Sequence, residues 1–220
     1  MQRFNRVAWK LWGGENPDEV LLKRYRLFLL AGVFLIAMFA VYRSLAGIEF
    51  LPNTEWIIPV LVVTGSFTLR CRRPKSVRIT SRYFGVISLI SVFVVWFVTY
   101  GFIPIHVFCW SGFIFIWLFS KKLKLSYFDR FSRILLKSTL ATAIAIIIYD
   151  VWTGVVGHTL TTGAPLWLSI IGQVEFTLRH LTSLFFVPPI VWAGKLIIRI
   201  PVPARASVAR SCSQTQGEGR

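Results

Sequence analysis

Acidic residues are scarce in this chain of 220 residues: nine Asp and Glu stand against 25 Lys and Arg, which gives a formal net charge of +16. A surplus of this sign can indicate nucleic-acid binding. Here the basic residues are divided among loops between apolar segments and form no single stripe, so we expect no nucleic-acid partner. Attraction to anionic lipid of the inner leaflet is a simpler explanation.

Cysteine is also scarce, and the usual signatures of enzymes are missing. Cys71, Cys109 and Cys212 lie far apart in sequence, so a disulfide framework is not expected. The sequence has no dinucleotide fingerprint, Walker loop, zinc-ligand spacing or HExxH pattern, and we therefore expect no catalytic residue, metal or cofactor. The first apolar run begins near Leu27 after a charged segment, which does not fit a cleavable signal peptide.

Apolar sequence is abundant, since hydrophobic residues make up 55% of the chain. Several uncharged stretches reach about 18 residues, enough to cross about 30 Å of hydrocarbon as a helix. We predict an all-α bundle of six transmembrane helices. Five spans cover about 27–45, 56–69, 83–102, 105–120 and 134–152, and the sixth ends near residue 198. The last apolar region would be about 50 Å long as one helix, so we expect an outer segment near Gly172 and a kink at Pro188-Pro189.

The distribution of basic residues predicts the orientation. Three patches of six basic residues and a tail with five alternate with the loops 46–55, 101–105 and 153–165, which hold no Lys or Arg. Because Lys and Arg are retained in cytoplasmic loops, both termini are predicted to be cytoplasmic in a multi-pass protein of the cell membrane. Residues 1–26 form a basic cytoplasmic segment, residues 27–200 the transmembrane domain, and residues 201–220 a disordered tail.

Ionisable residues outside these patches fall in the outer half of the predicted bundle. A charge inside a span costs about 2.5–3.5 kcal/mol and generally faces a cavity or a partner. Because the inner half has almost nothing comparable, the pattern indicates a shallow site open to the outside. We predict that a small-molecule substrate binds there, through the residues Arg43, Asn53, Glu55, Asp150, Glu175, Arg179 and His180.

The strongest local pattern is Glu175, Arg179, Thr182 and Ser183, which share one face of a helix. They form either a self-satisfied ion pair near the interface or the polar wall of a pocket. Arg43 either extends to the outer headgroups or binds ligand, and Glu55 either neutralises it or shares that ligand. The two arginines, with several carboxylates, favour a zwitterionic or partly anionic solute.

Three segments resemble the substrate-binding S component of energy-coupling factor (ECF) transporters. They are Leu51-Pro52-Asn53-Thr54-Glu55, Ile148-Tyr149-Asp150-Val151-Trp152-Thr153-Gly154, and Gly172-Gln173-Val174-Glu175-Phe176-Thr177-Leu178-Arg179-His180-Leu181. Span one departs from the family, because its alanines lack the four-residue spacing often used for docking.

The resemblance implies a protein that captures a vitamin or a precursor in an outer pocket and works with a transmembrane coupling subunit and two ATPase subunits. It implies no enzymatic activity. Two alternatives stay open: a membrane-embedded enzyme that uses Asp150, Glu175 and His180, and a structural membrane protein whose polar residues only pair with one another.

Overall fold

The computed structural model describes residues 17–46, 56–68, 75–126 and 129–198, and these residues are almost entirely helical. In chain order the elements are α1 Pro17–Ala46, α2 Ile57–Ser66, β1 Phe67–Thr68, α3 Lys75–Tyr100, α4 Pro104–Leu123, β2 Leu125–Ser126, α5 Phe131–Asp150, a π-helix Val151–Gly157, α6 His158–Thr162, α7 Leu166–Leu181, a 3₁₀ helix Thr182–Phe186 and α8 Val187–Ile197. The predicted all-α class is confirmed for the part of the chain that the structure describes.

Four helical segments are long and apolar enough to cross a membrane: Glu19–Tyr42, Pro104–Leu123, Phe131–Thr162 and Leu166–Ile197. The other two predicted spans correspond to shorter apolar helices, Ile57–Ser66 and Phe84–Tyr100. The ten residues of α2 make a helix of about 15 Å, half of a hydrocarbon core of about 30 Å. The architecture is that of a multi-pass membrane protein, with four helices of spanning length where six spans were predicted.

The outside of the helical bundle is apolar. Phe34, Val98, Leu136 and Phe185 are 66%, 79%, 71% and 87% exposed, and many other large hydrophobic side chains are more than 40% exposed. A surface of this kind is unstable in water and stable against lipid tails. The exposed apolar residues therefore agree with the membrane location that the helix lengths indicate.

The short helix α2 lies at the centre of the bundle and contacts α1, α4, α5 and α8. A helix that is apolar on every face is either a membrane span or a buried core helix. Here the helix is buried, since Ile57, Ile58, Leu61 and Val63 have no exposed surface. At the end of α2, β1 pairs in parallel with β2, with Phe67 opposite Leu125. This pairing joins the ends of α2 and α4.

The predicted outer loop 153–165 is mostly helical. Helix α5 continues through the π-helix and α6 to Thr162, and a short linker of residues 163–165 leads to α7. Gly163 ends α6 with a φ of 72°, a conformation that glycine adopts without strain. The interpretation of Gly154 and Gly157 as loop residues was wrong, because π-helical and α-helical hydrogen bonds satisfy the backbone there.

The break expected at Pro188-Pro189 is present as a change of helix type. Proline has no N–H, so Pro188 and Pro189 leave the carbonyls of Leu184 and Phe185 without their α-helical donors. The backbone accordingly forms a 3₁₀ helix over Thr182–Phe186 before α8 begins at Val187.

Candidate functional site

A cleft of about 320 Å³ opens at one end of the bundle, between the first turns of α4, the π-helix, α6 and the first three turns of α7. We call it the α4–α7 cleft. It is lined by Ile105, Cys109, Thr153, Gly154, His158, Leu168, Ser169, Gly172, Gln173 and Phe176. These elements meet where the charge pattern predicts the outer side, so the cleft lies where the sequence indicated a shallow site.

The π-helix builds one wall of the cleft. The N–H of His158 donates to the carbonyl of Thr153, five residues earlier, which is the π-helical hydrogen bond. Residues about five apart therefore share a face, and Thr153 and His158 both line the cleft. Such segments are rare and occur frequently at functional sites.

Helix α7 builds the opposite wall with a stripe of residues at helical spacing. Ser169, Gly172, Gln173 and Phe176 lie three and four residues apart and face the cleft together. A Cβ at Gly154 would lie 1.5 Å from Gln173 Oε1. Glycine at position 154 therefore allows the amide of Gln173 to lie directly against the π-helix.

A small polar network joins the two walls. Thr159 Oγ1 donates to Ser169 Oγ at 3.0 Å, and His158 Nδ1 lies 3.1 Å from the same hydroxyl oxygen. The hydroxyl proton of Ser169 can then be donated to Nδ1, which leaves the other imidazole nitrogen as the N–H. Gln173 Nε2 donates to Thr177 Oγ1 at 3.4 Å. The cleft thus presents neutral donors and acceptors beside apolar surface.

Below the cleft, Asp150 and His180 form a pair in the interior. Asp150 Oδ1 lies 2.8 Å from His180 Nδ1, and both side chains are 0% exposed. Among the described residues, Asp150 Oδ2 and Ser183 Oγ are buried without a hydrogen-bond partner. The pair connects the end of α5 to the end of α7. Because neither group has exposed surface, a solute in the cleft cannot touch this pair directly.

Phe176 links this buried pair to the cleft. Its ring meets the His180 ring edge-on, with centroids 6.1 Å apart, while the same side chain lines the cleft. On its other side, the His180 ring contacts Tyr149 edge-on at 6.0 Å. The Phe176 side chain therefore contacts both the buried pair and the cleft.

Glu175 and Arg179 form an ion pair on the outside of α7. Their side chains are 72% and 56% exposed. Thr182 Oγ1 donates to the carbonyl of Arg179 at 2.6 Å. Ser183, expected on the same face, is instead buried, because the 3₁₀ turn changes the angle between successive side chains. Glu175 and Arg179 are therefore paired with each other and lie outside the lining of the cleft.

The other predicted site residues divide as follows. Asn53 and Glu55 lie outside the described residues, and Arg43 belongs to α1 but its side chain is not among those described. Asp150 and His180 come together, away from the exposed pair of Glu175 and Arg179. Within the described part of the chain, the structure places the cleft beside the predicted residues, and other residues line it.

Sequence reasoning missed most of the side chains that line the cleft. Thr153 and Ser169, which line the cleft, received no role from the sequence. The exposed side chain of His158 also lines it. The signal on α7 was available, since Ser169, Gly172, Gln173 and Phe176 follow helical spacing. The π-helix gives no comparable signal. Comparison with known proteins finds no matching family model, no matching curated protein and no matching solved structure.

Proposed function

We propose that this chain is a solute-binding membrane protein that takes up a small molecule into the α4–α7 cleft. One observation carries the proposal: two of the three segments that resemble ECF S components supply two walls of this single cleft. Thr153 and Gly154 come from the first of these segments, and Gly172, Gln173 and Phe176 come from the second. Segments separated in sequence that converge on one hollow are typical of a ligand site.

The lining favours an uncharged solute with an apolar body. The described residues that line the cleft include no Asp, Glu, Lys or Arg, and His158, Gln173, Thr153 and Ser169 provide polar groups. Ile105, Leu168 and Phe176 provide apolar walls. A charged solute would lose its hydration here without gaining an opposite charge, which is costly. The zwitterionic solute expected from Arg43 and Arg179 fits less well, because Arg179 pairs with Glu175 outside the lining.

The transport step belongs to the same proposal. The sequence has no Walker loop, so this chain would depend on partners for ATP hydrolysis. Following the resemblance, we propose a transmembrane coupling subunit and two ATPase subunits as these partners, with a vitamin or a vitamin precursor as the solute class.

Thermal unfolding of the purified chain against a panel of neutral heterocyclic vitamins and precursors tests the binding step. A solute at 100 times its dissociation constant should stabilise the fold by about 2.7 kcal/mol. Gly154→Ala should weaken that solute about fivefold, because the new methyl group displaces the amide of Gln173 and removes about 1 kcal/mol of hydrogen bonding.

Val174→Ala is the control on the same helix, since Val174 is 57% exposed and does not line the cleft. If the panel includes a stabilising solute and both variants bind it as the natural chain does, the cleft is not the site. If Glu175→Gln and Arg179→Gln abolish binding instead, the predicted polar face of α7 is the site.

A second candidate, a structural membrane protein with self-paired polar residues, is favoured by the two pairs themselves. Asp150 with His180 and Glu175 with Arg179 satisfy each other at least in part. This candidate expects no solute-dependent stabilisation and no loss of uptake when the cleft is filled. The enzyme alternative requires Asp150 and His180 to contact a substrate. Both side chains are completely buried, which does not favour that role.

A further inference from the structure

One wall of the α4–α7 cleft contains a chain of three side chains joined by hydrogen bonds. Thr159 Oγ1 of α6 donates to Ser169 Oγ of α7 at 3.0 Å, and the same oxygen lies 3.1 Å from Nδ1 of His158. His158 and Ser169 line the cleft, whereas Thr159 does not. The position of the proton on each of these groups determines whether the wall offers a solute a donor or an acceptor.

The hydroxyl proton of Ser169 has one acceptor in the part of the chain that the structure describes. Ser169 is only 6% exposed, and a buried hydroxyl without an acceptor is costly. Thr159 uses its own proton in its contact with Ser169, so His158 Nδ1 is the atom to which Ser169 can donate. Nδ1 is then unprotonated, and a neutral imidazole in this state carries its proton on Nε2.

Thr159 supports this arrangement from outside the cleft. Thr161 Oγ1, on the same helix, donates at 2.8 Å to the carbonyl of Gly157, a local bond that threonine often forms in helices. The hydroxyl of Thr159 donates instead across to α7. It occupies a lone pair of the Ser169 oxygen and polarises that hydroxyl, which strengthens the bond from Ser169 to Nδ1. Thr159 is therefore a positioning residue that acts on His158 through Ser169.

The second nitrogen of the His158 ring remains for a solute. Nε2 has no hydrogen-bond partner among the described residues, and the side chain lines the cleft. Because Nε2 carries the proton, it is a donor and can bind an acceptor such as a carbonyl oxygen. Leu168 and Phe176 also line the cleft, so apolar surface is available for the body of the same solute.

We propose that His158 makes the cleft selective for neutral solutes that present a hydrogen-bond acceptor, such as the carbonyl oxygen of a cyclic amide or ketone, and that Ser169 and Thr159 enforce this selection. The proposal rests on the proposed solute-binding function of the cleft and adds to it the polarity that a solute presents to this wall. A solute with only an N–H at this position would face a second N–H and lose one hydrogen bond. That loss corresponds to an affinity about fivefold weaker.

Nitrogen NMR of the full chain, with labelled histidine in detergent micelles at about pH 8, tests the state of His158 without any solute. Imidazoles are mostly neutral at this pH, and protonated and unprotonated ring nitrogens give well-separated resonances. Comparison with His158→Gln identifies the signals of His158 among those of the three histidines. We expect the proton on Nε2. In Ser169→Ala, Nδ1 loses its partner, and the signals should move toward the average of the two tautomers.

Two neutral probes with the same phenyl ring then test the selection. Acetophenone presents a carbonyl acceptor, and N-methylaniline presents an N–H donor. Titration of each probe, followed through the His158 signals, should give a dissociation constant about fivefold lower for acetophenone. Ser169→Ala should remove this difference. Thr159→Val should reduce it, and Thr159→Ser, which keeps the hydroxyl, should retain it. Thr161→Val is the matched control, because the Thr161 hydroxyl bonds within its own helix, and it should bind both probes as the natural chain does.

A proton on Nδ1 would overturn the proposal, as would equal or tighter binding of N-methylaniline, or binding of neither probe. The same ratio of dissociation constants in Ser169→Ala and in the natural chain would also overturn it. If Ser169→Ala fails to fold, as judged by thermal unfolding, the comparison of Thr159→Val with Thr159→Ser still decides whether the hydroxyl chain sets the selection. The proposed function is tested separately, since the vitamin panel can yield a stabilising solute whichever probe is preferred, and can yield none although acetophenone is preferred.

Discussion

Replacing His180 by leucine should cost this protein about 3–5 kcal/mol of folding free energy. Asp150 and His180 are both 0% exposed and lie 2.8 Å apart. Removing one member of a buried pair leaves an uncompensated polar or charged group, and losses of about that size are typical. In His180→Leu, Asp150 Oδ1 loses its partner while Oδ2 already lacks one among the described residues. Removal of a neutral interhelical hydrogen bond in a membrane protein would cost only about 0.6 kcal/mol.

The double variant Asp150→Leu with His180→Leu tests whether the loss of stability comes from the buried group that is left without its partner. Replacing a whole buried pair by apolar side chains of similar size is often neutral or stabilising. The double variant should therefore recover most of the stability lost in His180→Leu. The measurement is unfolding of the purified chain in mixed micelles with increasing SDS, followed by loss of helical circular dichroism.

An exposed pair on α7 provides the control for this experiment. Glu175→Gln and Arg179→Gln break an ion pair whose side chains are 72% and 56% exposed, so each should cost at most about 1 kcal/mol. The argument from burial is wrong if the double variant loses as much unfolding free energy as the two single substitutions together. It is also wrong if His180→Leu costs no more than Glu175→Gln.

Two further predictions test the packing and the orientation of the bundle. Gly85→Ala should destabilise the protein by about 1–3 kcal/mol in the same unfolding assay. The reason is that the new Cβ would lie 2.0 Å from the indole nitrogen of Trp117. An unchanged unfolding midpoint would mean that α3 and α4 do not pack as described. In a background without the native cysteines, a cysteine at Thr161 should react with a membrane-impermeant maleimide added outside intact cells, whereas a cysteine at Lys122 should react only after permeabilisation. The reverse result would invert the predicted topology.

The helical class and the approximate positions of the long helices could be predicted because they depend on local composition. Long uncharged stretches predict helices of spanning length, and Pro188-Pro189 predicts the place where the α-helical hydrogen bonds stop. The number of crossings was harder to predict. Helix α2 is apolar on every face because it is surrounded by other helices, and its sequence alone does not distinguish a buried core helix from a membrane span.

The two polar pairs differ in whether the sequence predicts their contact. Glu175 and Arg179 are four residues apart on one helix, so their pairing follows from the sequence. Asp150 and His180 are separated by 30 residues, and their contact exists because α5 packs against α7. The sequence placed both residues at the outer end of the bundle but contained no signal that one would neutralise the other. Asp150 and His180, which were predicted to bind solute, are paired with each other in the interior of the structure.

The cleft depends on a change of helix type that has no sequence signature. In a continuous α-helix, Thr153 and His158, five residues apart, would point about 140° away from each other, at about 100° per residue. The π-helix over Val151–Gly157 brings them to one face, because its hydrogen bonds connect residues five apart. On the same π-helix, Gly154 leaves room for Gln173 of the facing helix α7. The position of these polar groups is therefore set by the packing of α7 against the π-helix, which the sequence alone does not predict.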